Sequence, residues 1–521
     1  MIGGGGHEQL SHLRTFSQLV AKIDEKLLTE DRRAAAQWIQ IAGHFAWFFN
    51  PGGFSSPQLD HLADQVLEPD AALPLQREAA RTLHVATSIS KTGGHSRLLL
   101  RWLELESGAA DVILTAQIGQ IPEDLRVAVE STGGRLRLLN APDAYEKARE
   151  LRGIAGQADL ILLHTHPYDA IPFMAFPTAS RTVRLAVVNH ADHVFWTGAS
   201  LADAVINIRA AGSSFSVANR GVQASRSHVL SLPLSTPQQN PDSDRETTRR
   251  KLEVAPDQIL ALSMAQAYKY QDRSGASFLE TYLPLVKKDP RLSLFVIGPE
   301  PTKNWRQSRT GSTRVRALGP RLDTAALFAA ADVYVDSYPF ASLTSALEAS
   351  VAGLPIVAVR SNGGDVFSLD DPGLNESLVL AASGAIARGQ LQGLIDSPTD
   401  RRVLAERQKE AVLSHHCGEP WAQEWSAVRA RIQKVEIIAP EAGALLLAPA
   451  EAAAVAAVLD LHGQPAMERD AWTLMSPHAG GLKRSMTTRL LLLLSGLLKA
   501  AKVPGRDRLS ATLISLLARA G

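Results

Sequence analysis

The chain has 521 residues, material for three or four domains at about 150 residues each. With 45% hydrophobic and 21% charged residues, it is neither a disordered polyampholyte, a collagen-like repeat nor a membrane-embedded bundle. Lysine and arginine number 54 against 53 acidic residues, a net charge of +1, so no global field draws the chain to nucleic acid or an anionic bilayer, and any anionic ligand needs a local arrangement of charge.

Residues 1–7 show neither the basic start nor the apolar run of a secretory leader, so the expected location is cytoplasmic. Residues 1–80 are expected to form a helical extension, with Leu27, Leu28, Trp38, Ile39, Phe45, Trp47 and Phe48 at helical spacing and a stop at Pro51-Gly52-Gly53. From residue 81 the pattern changes to apolar runs of strand length separated by helical stretches: 83–87, 112–115, 160–164, 185–189, 205–208 and 229–232. Alternation of this kind reads as βαβ units and a parallel sheet covered on both faces. This first domain is expected to span 81–235. The polar, proline-containing stretch 236–247 reads as a linker. Beyond it the alternation resumes at 259–264, 292–297, 315–318, 333–336, 356–359 and 378–380, predicting a second sheet within 248–432. The expected class is therefore α/β, two Rossmann-like domains enclosing a ligand cleft between the carboxyl ends of their strands.

The remainder, 433–521, is rich in alanine and leucine and reads as a helical C-terminal extension. Its strongest apolar run, 490–498, is interrupted by Ser495 and Gly496 and falls short of the roughly 20 residues that span a bilayer. Lys483, Arg484, Arg489, Lys499 and Lys502 flank it, which suits either a peripheral contact at the inner face of a membrane or a terminal helix docked on the protein itself. The lone cysteine, Cys417, excludes an internal disulfide framework and a cysteine-rich zinc site, and suits a reducing compartment.

Two segments of the second domain carry chemistry. After the strand at 333–336 comes Asp336-Ser337-Tyr338-Pro339-Phe340-Ala341-Ser342-Leu343-Thr344-Ser345-Ala346-Leu347-Glu348, then Gly353-Leu354-Pro355. A loop of small hydroxyl residues leading into a helix offers backbone N–H groups and a dipole to a phosphate. Ser342, Thr344 and Ser345 add neutral donors, and Glu348, a turn further on, can take the hydroxyls of a ribose. The plain alternative makes Ser342 or Thr344 an N-cap and Glu348 a solvated helix residue. The second segment is Gln266-Ala267-Tyr268-Lys269, just past the strand 259–264. It places an ammonium at the cleft as a point charge for a diphosphate, with Tyr268 beside it.

These runs, with Asp289-Pro290-Arg291-Leu292-Ser293-Leu294 and Asp332-Val333-Tyr334-Val335-Asp336 between them, resemble the nucleotide-sugar half of GT-B glycosyltransferases. Within that fold the similarity is greatest to the O-GlcNAc transferase and adhesin-glycosylating families. It covers about residues 248–400, and 81–235 much less specifically. The resemblance implies that Lys269 contacts the diphosphate, that Ser342, Thr344 and Ser345 line it, and that Glu348 holds the ribose. It also implies that the loop 316–322 reads the nucleobase, by Leu318 or Arg321, although Gly319-Pro320 reads equally as a plain turn. Retaining GT-B families carry a glutamate eight positions before the helix glutamate. Here that position is Phe340, so the resemblance leans toward the inverting relatives.

In the first domain, Ser88-Ile89-Ser90-Lys91-Thr92-Gly93-Gly94-His95 follows the opening strand. Gly93 and Gly94 let the backbone approach a ligand closely, and GT-B relatives border the donor phosphates and the acceptor with this loop. Histidines gather at two other strand ends, in His164-Thr165-His166-Pro167 and Asn189-His190-Ala191-Asp192-His193. Three readings apply: zinc ligation by His190, Asp192 and His193, general-base catalysis on an acceptor hydroxyl, or ordinary hydrogen-bonding histidines. The resembling families work without a metal, so no metal and no cofactor are expected. His193 and His190 are the first candidates for the base, with Asp192 orienting a neighbouring imidazole and His95 and His166 behind them.

The expected function is metal-independent transfer of a hexosyl or N-acetylhexosaminyl group from a nucleoside diphosphate sugar, UDP-sugar first, to a protein, glycan or lipid acceptor, with no nucleic-acid partner. A nucleotide-sugar 2-epimerase and a catalytically silent scaffold of a glycan or adhesin assembly complex are the alternatives.

Overall fold

The computed structural model describes residues 5–68, 81–91, 93–155, 158–235, 245–270, 277–301, 314–371, 373–440, 443 and 445. Helices α1 (Gly5–Leu28), α2 (Arg32–Phe48) and α3 (Pro57–Asp64) open the chain. The Asp31 carboxylate caps α2 by accepting from Ala34 N, and Ser56 caps α3 with Pro57 in its first turn. Their apolar faces, including Phe16, Leu19, Ile23, Ile39 and Phe45, are buried in one cluster with Leu83, Val85, Ile161, Leu163 and Leu185 of the first sheet. The segment expected as an extension is thus a covering layer of that sheet.

The first sheet comprises β1 (Thr82–Ala86), β2 (Ala110–Leu114), β3 (Leu136–Leu138), β4 (Leu160–His164), β5 (Arg184–Asn189), β6 (Ala204–Asn207) and β7 (Ser227–Val229). All pairs are parallel, in the order β3-β2-β1-β4-β5-β6-β7. The second comprises β8 (Ile259–Met264), β9 (Leu292–Ile297), β10 (Val315–Ala317), β11 (Val333–Val335) and β12 (Ile356–Val357), also parallel, in the order β10-β9-β8-β11-β12. This is the expected α/β architecture with two parallel sheets.

Two details differ from the pattern read in the sequence. The edge strand β3 is too short to give an apolar run, and it follows a turn at Gly133-Gly134 where a Cβ on Gly134 would lie 1.9 Å from Ala110 O. The run 378–380 forms no strand; pairing there is a single bridge between Val359 and Ala381, and Val379 is exposed.

In each sheet the strand order reverses once, between β1 and β4 and between β8 and β11. Loops leaving the carboxyl ends of such neighbours diverge to opposite faces and open a crevice. Residues 87–91, 93–94 and 165–170 occupy the first switch point, and 265–270 and 336–342 the second.

The chain then returns to the first domain. Leu234 N donates to His416 O at 2.8 Å, and Trp421 Nε1 donates to Ser231 O at 2.6 Å. Trp421 and Trp425 stand edge-on to Trp102 at 5.3 and 4.8 Å, and Arg429 reaches Asp159 at 2.9 Å and Glu106 at 3.2 Å. One buried cluster consequently holds residues of both sheets, from Leu160 and Ile206 to Leu260 and Tyr334. No helix among the described residues is long and apolar enough to cross a membrane. The basic-flanked run 490–498 lies outside the described residues.

His416 ties this return in place. Its Nε2 lies 3.0 Å from Asp371 Oδ1 and its Nδ1 2.7 Å from Leu232 O. Burial alone would lower its pKa, but the Asp371 carboxylate and the Leu232 carbonyl outweigh it and raise the ring above the ordinary 6.5. A raised histidine stabilises the fold fully below its unfolded pKa and loses that contribution as pH rises through the folded value. The melting temperature of His416→Gln should therefore lie furthest below that of the unaltered protein under pH 6.5, and the gap should narrow on the alkaline side. A gap independent of pH would show that the ring is neutral throughout.

Candidate functional site

At the second switch point, β8 runs into the short turn that carries Lys269. Lys269 Nζ donates to Ala341 O at 2.9 Å and lies 4.5 Å from the centroid of the Phe340 ring. Asp336, just past β11, accepts from Ser342 N at 3.1 Å. Burial pushes Lys269 down to about 8 and Asp336 up to about 6, each opposed by the other's charge. At neutral pH the pair is ionised, and the ammonium has donors beyond the one given to Ala341. Ser342 stands at the cap position of the Leu343–Val351 helix without capping it: its Oγ donates to Ser345 Oγ at 3.3 Å. No side chain caps this helix start, and Thr344 and Ser345 lie half-exposed in its first turn.

The first switch point supplies a matching element. Gly93, at φ 113°, opens α4 (Gly94–Leu105), again with no side-chain cap. A Cβ on Gly94 would lie 3.1 Å from Thr344 Oγ1. One turn along, Arg97 Nη1 donates to both oxygens of Glu348 at 2.8 Å, and Arg101 donates to Glu348 as well. These contacts set the two helices side by side with their N-terminal ends level, so two positive dipole ends converge next to Lys269. Glu348 is held here by guanidinium groups of the other domain. Arg97 and Arg101 escaped the sequence reading, although their i, i+4 spacing gives them one face of a helix.

The histidines divide into two groups. His193 is half-buried across the domain boundary, edge-on to Phe340 at 5.0 Å and tilted on Phe367 at 5.7 Å. The ring that carries Lys269 on its face thus also carries His193. Phe340, at the position of the absent glutamate, belongs to a buried cluster with Phe54, Phe215, Val366 and Phe367, against which Tyr268 packs. His95, His166 and His190 form the other group. His95 stacks on His190 at 4.2 Å, stands 5.5 Å from His166, and places Nε2 2.6 Å from His164 O. Burial pushes His95 and His166 down to about 4 and His190 to about 3, so all three are neutral near pH 7.

Asp192 is buried and accepts from Arg209 Nε at 2.7 Å and Asn189 Nδ2 at 2.6 Å. Burial would raise its carboxyl, but Arg209, Arg220 and His193 hold it below the usual range. Arg209 also donates to Ser368 O at 3.1 Å in the second domain. Buried Arg220 donates to Val194 O at 2.9 Å and lies 3.9 Å from the Trp196 ring. Asp192 therefore anchors the loop that presents His193. Arg209 was also missed; its place just beyond the strand 205–208 was the available signal.

On the nucleobase side, Leu318 N donates to Val296 O at 2.8 Å, which commits that amide to the sheet. Arg321 is exposed and paired with Asp323 at 2.8 Å. Gly298, at φ 111°, would place a Cβ 1.9 Å from Ala265 O, so glycine alone lets the end of β9 meet the loop leading to Lys269. Among the described residues, no group of three or more His, Cys, Asp or Glu side chains is placed to hold a metal ion.

Residues 261–392 match the family described as Glycosyl transferases group 1, a span that includes Lys269, Asp336 and Glu348. No curated protein matches the chain in sequence. Among solved structures, a glycosyltransferase from Rickettsia africae aligns over 69% of this chain and all of its own at 10% identity and a TM-score of 0.54. HepE of Anabaena, solved with UDP and glucose, aligns over 67% of this chain and 99% of its own at 15% identity and a TM-score of 0.52. An O-GlcNAc transferase from Thermobaculum terrenum aligns over 82% of this chain and 85% of its own at 15% identity, with a TM-score of 0.49. At these identities the likeness shows the fold, which is GT-B.

The Arg101 and Glu348 side chains are 13% and 12% exposed, dry enough for their charge-assisted contact to couple the domains. A double-mutant cycle on Arg101→Met and Glu348→Gln, read by chemical denaturation, should give a coupling on the order of 1–2 kcal/mol. Strict additivity would show that the contact contributes nothing.

Proposed function

We propose that the chain is a glycosyltransferase that moves a hexosyl or N-acetylhexosaminyl group from a UDP-sugar to an acceptor hydroxyl. The observation that carries this reading is the meeting of the Lys269 ammonium with two level, uncapped helix starts, from Gly94 and Leu343, where the domains touch. Such an arrangement stabilises the charge that grows on a departing diphosphate. The match of residues 261–392 to the group 1 glycosyltransferases supports it, as does a fold shared with HepE, which was solved with UDP.

In this mechanism the acceptor oxygen forms its bond to the anomeric carbon as the bond from that carbon to the diphosphate oxygen breaks. His193 takes the acceptor's proton, and Lys269 and the helix N–H groups meet the negative charge on the leaving group. No metal is required, because lysine and dipoles supply the positive potential. Phe340 in place of a second glutamate removes a carboxylate nucleophile and supports a single displacement with inversion. Asp192 orients the His193 loop, while Arg97 and Arg101 release Glu348 to the ribose when the nucleotide binds.

Lys269→Ala should lower kcat/KM by about 10²- to 10³-fold, the loss typical of one preorganised donor to a developing anion, and should weaken UDP binding in calorimetry. Because Lys269 loses its proton near pH 8 in the free protein, UDP affinity should fall as pH rises through that value, and Lys269→Ala should lack this break. Full turnover by Lys269→Ala would overturn the assignment.

A further inference from the structure

From the reaction centre, a file of rings leads outward over the first domain and onto the N-terminal helices. His95 and His190 begin it, stacked at 4.2 Å beside the start of α4. His166 follows at 5.5 Å from His95, and Tyr168 lies parallel to His166 at 5.3 Å. The file then passes to α2, where His44 stacks on Tyr168 at 3.8 Å and Trp47 leans on it at 5.1 Å. All six side chains are half-buried. They come from four separate elements, α2, α4 and the loops after β4 and β5, and no helical or strand period places them together.

Between His166 and His190 lies a cavity of about 20 Å³, also lined by Asn189 and Thr197, enough for about one water molecule. Thr197 Oγ1 is buried there without a hydrogen-bond partner, so the file has a polar atom awaiting a donor or acceptor. Burial keeps His95, His166 and His190 uncharged near neutral pH. The rings stack on one another and form an aromatic surface with neutral hydrogen-bonding edges and no formal charge. A lipid chain would offer no hydrogen bond to the imidazole edges, and an anionic acceptor would find no counter-charge among these rings. Pyranose rings suit both features, since their C–H faces lie on aromatic rings and their hydroxyls meet imidazole and hydroxyl edges.

We infer that this ring file is the acceptor subsite and that it takes a neutral oligosaccharide, whose terminal hydroxyl reaches the sugar-transfer centre while its preceding residues lie along His166, Tyr168 and Trp47. The inference rests on the glycosyltransferase reading above and names the acceptor class for it. It also assigns a role to α2: the N-terminal helices supply the outer end of the subsite.

The test uses the full chain with a UDP-sugar and an array of neutral, acidic and peptide-linked glycans, followed by titration and kinetics with the neutral oligosaccharide that binds best. Trp47→Ala and Tyr168→Ala should each raise the acceptor KM about tenfold or more, with kcat falling less than KM rises, and Tyr168→Phe should restore most of the loss because the ring is kept. UDP calorimetry on the same samples separates the two levels of the argument. If UDP binds and no neutral oligosaccharide does, or if the acceptor KM is indifferent to Trp47 and Tyr168, the subsite inference fails and the donor reading stands. If UDP does not bind the unaltered protein, the glycosyltransferase reading itself fails.

Discussion

The structure depends on holding two helix starts level at the boundary of the domains. Like dipole ends placed together repel, and neither helix relieves this with a cap from its own first residues. The compensation comes from around them: Asp336 accepts the Ser342 amide, and Glu348 sits between Arg97 and Arg101 one turn away. Glycine at position 94 permits the approach, because a larger residue would meet Thr344. The result is a concentrated positive potential built from backbone, in a chain whose net charge is only +1 and which needs no basic surface to create it.

Packing across the domain boundary fixes what stands against that potential. Phe340 carries Lys269 on one side and His193 on another, so one ring fixes the spacing between the two. Arg209 binds Asp192 beside His193 and, in the same side chain, the carbonyl of Ser368 across the boundary. On the far side, the Gly418–Ile432 helix inserts Trp421 and Trp425 against Trp102 of α4. The domains are therefore joined through Arg209 and through this helix as well as through the helix pair.

Much of this was legible in the sequence where the signal is local. A buried parallel strand must be a short apolar run, so eleven of the twelve strands stand out beside their turns, with Lys269 and Ser342 in the loops that leave them and Glu348 one turn into the helix that follows. What stayed hidden depends on contacts distant in the chain. Glu348 reads as a ribose ligand from its own helix, and only the fold shows that Arg97, 251 positions away, takes its carboxylate. Asp192 and His193 are adjacent in the sequence, yet the fold buries one under Arg209 and leaves the other at the cleft. Leu318 gave no warning that its amide belongs to the sheet, since backbone hydrogen bonds leave no mark on side-chain identity.

The N-terminal helices show the same limit from the other direction. Their spacing announces a buried face, and a buried face is what Phe16, Leu19 and Ile39 form. His44 and Trp47 lie on the margin of that face, where helical periodicity alone classes them as boundary residues. Their meaning comes from Tyr168, which stands where the loop after β4 passes under α2. A layer that stabilises the first sheet has thereby become one wall of its crevice. Variation in α2 can then reshape that wall without touching Lys269 or the helix pair, because His44 and Trp47 meet it at Tyr168, on a different element.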